Sequence, residues 1–77
     1  MKITYYDSVE LAKKFGVNKR VFHRQIKTYI VIDFKKELDA LNISNPDIGL
    51  DFQNNIYLSD TNHTQIIPTN LNISDYI

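Results

Sequence analysis

Residues 21–27 read VFHRQIK. At about 100° per residue, a helix through them places Arg20, His23, Arg24 and Lys27 on one side, opposite Phe22 and Ile26. An imidazole one turn from an ammonium group offers a metal-free way to cleave RNA. The neutral ring can take the proton of a 2′-hydroxyl, while cations stabilise the charge that builds on the phosphoryl oxygens. DNA has no such hydroxyl, so this chemistry would be specific to RNA. The same cationic face could instead read DNA. In SVELAKKFGVNKRVFHRQIK, Ala12 stands where two helices would cross, Gly16 falls in the turn and a polar second helix follows, so residues 8–30 also fit a helix-turn-helix module. The ordinary reading of such a face is a solvated surface on which the histidine is passive.

Other site chemistries find little support. His23 and His63 are forty residues apart, and neither belongs to an HExxH motif or a carboxylate cluster at ligand spacing, so neither a metal nor any other cofactor is expected. The chain has no glycine-rich phosphate loop and no GxSxG nucleophile turn. With 77 residues and no cysteine, it predicts a single domain over 1–77 whose core stands on packing without disulfide support. No apolar run approaches the roughly 20 residues of a membrane span, and MKITYYDSVE lacks the apolar stretch of a signal peptide, so no membrane partner is expected.

The net charge is zero but unevenly spread. Eight of the nine Lys and Arg lie in residues 12–36, opposed there by Asp33 alone, whereas residues 37–77 hold six carboxylates and no Lys or Arg. That asymmetry suits a polyanionic partner for the basic segment.

The elements that must position these residues are legible in outline. Asp7 and Glu10 form a capping-box pattern, and Gly16 is placed to end a first helix over about 8–15. Asn18 can cap a second helix whose inward stripe is Phe22, Ile26, Tyr29 and Ile30. The β-branched run Ile30–Ile32 predicts a break near residues 28–32, after which Asp33 begins a helix with Phe34, Leu38 and Leu41 on one side. From Asn45 onward, short apolar runs alternate with Asn, Asp, Gly and Pro, which are strand and turn signals. Asn54–Asn55 suits a hairpin turn, DTNHT (60–64) a second, Pro68 an edge strand, and LNISDYI a last strand. Asn45, Pro46 and Asp47 read as structural. The fold class is therefore α+β, with N-terminal helices packed on a small antiparallel sheet.

The stretch FHRQIK, then DFKKELDALNISNPDIGLDFQNNIYLSD, then the threonine of IIPTN and the tyrosine of ISDYI resembles the C-terminal ribonuclease tips of bacterial polymorphic and contact-dependent growth inhibition toxins, in the barnase/EndoU/colicin/RelE superfamily. The pattern is a His-x-x-Ile-Lys helix, an Asn-Pro-Asp-Ile strand start, a Gly- or Asn-turned hairpin, and a late Thr followed by an aromatic residue. It covers residues 20–77, about three quarters of the chain, and leaves residues 1–19 outside. The resemblance implies helices packed on a small antiparallel sheet, and metal-independent cleavage of RNA, often tRNA, to a 2′,3′-cyclic phosphate. It also implies a cognate immunity protein, and delivery into the cytoplasm of a target cell as the tip of a larger secreted protein. By the same resemblance, His23 is the general acid or base and Lys27 a phosphate or transition-state contact. Thr69 becomes a hydrogen-bond donor to phosphate, Tyr76 a second polar or stacking group, and Lys19, Arg20 and Arg24 RNA contacts. The sequence departs from the pattern at Thr28, where a proline is expected.

Overall fold

In a computed structural model, residues 2–76 are described, with all of their side chains except those of Ser8 and Lys27. Asp7 caps α1 (Ser8–Phe15) through a complete capping box. Its carboxylate accepts from the Glu10 N–H at 2.8 Å, and the Glu10 side chain accepts from the Asp7 N–H at 3.4 Å. Gly16 ends the helix at φ +65°, a left-handed conformation open to glycine at little cost. Asn18 then caps α2 (Lys19–Gln25) by accepting from the Arg20 and Val21 N–H groups at 3.0 and 3.2 Å. Leu11, Ala12 and Phe22 are buried where the two helices meet the core.

The expected break near residues 28–32 takes a different form. The chain stays helical but widens into a π-helical segment, Ile26–Val31. Thr28 keeps the N–H that a proline would lack, so the coil can continue. Winding with i→i+5 bonds advances each residue by less than the α-helical 100°. That smaller step keeps Ile26 and Ile30 in the core, swings Val31 against it, and turns Tyr29 outward. Tyr29 is thus exposed, contrary to its place in the expected stripe.

The third helix also begins later than expected. Asp33 lies in a turn, and α3 is the short segment Lys35–Ala40, with Phe34 at its N-cap and no side-chain capping bond. It ends in a Schellman motif: Asn42 takes φ +59°, its N–H reaches the Asp39 carbonyl at 3.1 Å, and the Ile43 N–H reaches the Leu38 carbonyl at 2.9 Å. The reversal sends Ile43 into the core beside Leu38 and leaves Leu41 partly exposed, so Ile43 fills the role expected of Leu41.

The sheet contains β1 (Thr4–Tyr6), β2 (Asp47–Leu50), β3 (Asn55–Ser59) and β4 (Ile66–Asn72), in that spatial order with every neighbour antiparallel. β1 was not expected: ITYY precedes all the helices, yet Thr4 pairs with Leu50 and Tyr6 with Ile48. Residues ahead of the first helix are therefore integral to the sheet. Ile48, Leu50, Ile56, Leu58 and Ile67 share one face, and with Phe22, Ile26 and Ile30 they form the core. Pro68 does lie on an edge strand, and Asn54 does adopt a positive φ of 66° in the β2–β3 turn, although Asn55 already belongs to β3. The last strand is not LNISDYI. β4 stops at Asn72, whose side-chain oxygen accepts from both the N–H and the hydroxyl of Ser74, and Ile73–Tyr76 tightens into a 3₁₀ turn that buries Ile73.

The fold is thus α+β: among the described residues, three α-helices stand with a four-stranded antiparallel sheet.

Candidate nucleic-acid interface and active site

α2 separates its two sides cleanly. Phe22 is 1 % exposed and belongs to the core, while Lys19, Arg20, His23 and Arg24 are all exposed. Asn18, Lys19, Arg20 and His23 line an open hollow of about 570 Å³. The imidazole therefore stands beside two fixed cations on a solvent-facing surface, where a polyanion can reach it. Lys27 lies one residue into the π segment; its side chain, and with it the expected phosphate contact, lies outside the described residues.

His23 also borders a second, deeper feature. A groove of about 460 Å³ runs between the helical segment and the start of β2. Ile26, Val31 and Ile48 supply apolar walls, and His23, Asp7 and Asp47 supply titratable groups. Tyr6 lines it as well, and the Lys14 ammonium stands 5.7 Å from the centre of that ring. Apolar walls with a few convergent polar groups are the usual composition of a small-molecule or nucleobase site. Asn45 and Pro46, expected to serve structure, also line the groove, as does Asp47.

Asp47 is held from behind. His63 Nε2 lies 2.8 Å from its Oδ2, and the His63 ring stacks on Tyr5 of β1 with centroids 3.7 Å apart and planes inclined by 8°. His63 adopts φ +57° in a turn organised by Asp60, whose carboxylate accepts from the Thr64 N–H and hydroxyl and from the Gln65 N–H. The Gln65 and Thr64 bonds hold the Asp60 carboxyl below the usual carboxylate range against the opposing effect of burial. The sequence offers no local signal for the His63–Asp47 pair, because its partners are sixteen residues apart and meet only through the sheet register.

Two expected site residues lie elsewhere. Thr69 is buried, and its hydroxyl donates to the Ile56 carbonyl at 2.7 Å while accepting from the Leu71 N–H at 3.2 Å. A hydroxyl committed in this way is not free to donate to a phosphate, so its role is to join β4 to β3. Tyr76 lines neither feature bordered by His23. It lies in a separate hollow with Gln25, Tyr29 and Asp75, on the flank of the helix roughly opposite His23, since Gln25 is two residues away at about 100° each. The structure therefore groups Lys19, Arg20 and His23, with Arg24 exposed on the same helix, and separates Thr69 and Tyr76 from them.

Asp51 is a structural residue absent from the sequence-based expectations. It is buried, and its carboxylate accepts from the Gln53 and Asn55 N–H groups, the Asn55 amide and the Tyr57 hydroxyl, at 2.9 to 3.1 Å. Burial opposes its ionisation, but those donors prevail and hold its carboxyl low. An aspartate just ahead of a tight Asn-containing turn is the local signal that could have identified it.

Among the described residues, no three His, Cys, Asp or Glu stand together as a metal site, and no helix is long and apolar enough to cross a membrane. No protein-family model matches the sequence, and no curated protein or solved structure is significantly similar to it.

Proposed function

We propose that this domain is a metal-independent endoribonuclease of the toxin-tip type, acting on tRNA and neutralised by a cognate immunity protein after delivery into a target cell. The single observation that carries the reading is the position of His23, exposed between a hollow lined by Lys19 and Arg20 and a groove with apolar walls. A nucleotide whose base enters the groove would bring its phosphate toward the cations. As O2′ bonds to phosphorus, its proton passes to the neutral His23 imidazole. The P–O5′ bond breaks, O5′ takes a proton from water, and a 2′,3′-cyclic phosphate remains. Lys19, Arg20 and Arg24 supply positive charge beside the phosphate. Incubation with total tRNA in EDTA tests the reading: discrete fragments with cyclic phosphate ends are expected, and intact RNA or a requirement for a divalent metal would overturn it.

A second reading is favoured by the α1–α2 pair, joined by the left-handed Gly16 with the cationic side of α2 facing solvent. Two helices so joined suit a helix-turn-helix module, which predicts strongly salt-dependent binding to duplex DNA with RNA left uncut.

A further inference from the structure

The flank of the helical segment away from His23 carries a different chemistry. The π-helical winding turns Tyr29 outward until it is 54 % exposed, and the terminal 3₁₀ turn brings Tyr76 beside it, with ring centroids 6.3 Å apart and planes inclined by 33°. With Gln25 and Asp75 the two rings line a hollow of about 450 Å³. Asp33 lies in the turn after the π segment. Burial and then the negative charges of Asp75 and Asp33 push the Tyr76 hydroxyl above its usual range. Among the described side chains, neither Asp33 nor Asp75 stands in an ion pair.

Two tyrosine rings in a negative field form an environment that repels phosphate and attracts a cation. Aromatic faces bind guanidinium and ammonium groups through the ring quadrupole, and a guanidinium can in addition direct its forked N–H groups at a carboxylate. We infer that the Tyr29–Tyr76 hollow, with Asp75 in its lining, is a docking site for an arginine side chain presented by a basic segment of a partner protein. The partner would approach from the flank opposite the cationic surface, leaving His23 uncovered. This inference does not depend on whether the domain cleaves RNA.

The test is an amide-resolved NMR titration of the whole chain with acetyl-Gly-Arg-Gly-amide, run beside the same peptide carrying citrulline, which keeps the shape of arginine and loses its charge. Shifts at Gln25, Tyr29, Asp33, Asp75 and Tyr76 are expected at millimolar peptide, about tenfold weaker for citrulline. They should be lost in Asp75→Asn and in Tyr29→Leu, both exposed positions. Equal responses to the two peptides, no response at these residues, or shifts centred on Glu37 and Asp39 would overturn the inference. So would a short oligouridylate that moves the same five amides, since that would make the hollow a nucleic-acid surface.

Discussion

The His63 ring lies flat on Tyr5, 3.7 Å between centroids, while its Nε2 contacts Asp47 Oδ2 at 2.8 Å. One side chain in the β3–β4 turn thereby fastens the three-residue edge strand β1 and the first residue of β2, which also lines the groove. Stacking of this kind contributes about 0.5–1.5 kcal/mol, and an imidazole–carboxylate contact this exposed less than about 1 kcal/mol. His63→Ala is therefore expected to destabilise the domain by about 1–2 kcal/mol, read as a lower urea midpoint. An unchanged midpoint would mean that the clamp contributes nothing.

Gly49 sits beneath the same strand. A Cβ at that position would come within 2.5 Å of an Ile3 methyl and 2.9 Å of the Tyr5 ring. Gly49→Ala must displace the Ile3 and Tyr5 side chains, with an expected loss of about 1–3 kcal/mol, the usual cost of overpacking. Hydrogen exchange should accelerate first at Tyr5 and Tyr6, and uniform acceleration across the sheet would contradict the assignment.

Asp51 and Asp60 make stability depend on pH in a definite direction. Both carboxyls are held below their usual range in the folded chain. A depressed folded value means that the contribution is complete above the unfolded value of about 4 and disappears as pH falls through the lower folded one. Urea midpoints should therefore drop in acid below about pH 4. Asp51→Asn should show a lower midpoint at neutral pH and a flatter acid limb, and an acid limb as steep as that of the parent chain would contradict this.

Thr69 separates a structural role from a catalytic one. Thr69→Val keeps the shape and removes the hydroxyl, leaving the Ile56 carbonyl and the Leu71 N–H without their partner. The expected cost is about 1–3 kcal/mol of stability, with the folded fraction cleaving RNA at the parent rate. A large fall in rate with unchanged stability would return Thr69 to the site.

Features written within four or five residues were legible in the sequence. The Asp7–Glu10 box, the Gly16 stop and the Asn18 cap each use neighbours on the chain, and all appear with the expected bonds. β1 was not legible, because three paired residues are too few to show alternation and its partner strand lies more than forty residues on. The π winding leaves only a weak trace in the sequence, the β-branched Ile30–Ile32: α-helical spacing puts Tyr29 in the core, whereas i→i+5 winding puts it in solvent beside Tyr76. For the site, the amphipathic split of α2 foretold an exposed His23 beside Arg20 and Arg24. The groove, Asp47 and the separation of Thr69 and Tyr76 depend on strand register, and a chain read in one dimension does not contain them.

In the proposed reaction a single imidazole carries the proton transfer. Single-turnover cleavage of tRNA in EDTA by the parent chain and by His23→Gln, with circular dichroism and tRNA affinity measured on both, addresses it directly. His23→Gln is expected to keep its fold and its affinity within a few-fold while the cleavage rate falls by about 10²–10⁴, the usual contribution of a general acid or base. Equal cleavage by the two proteins, or no cleavage by the parent, would contradict it.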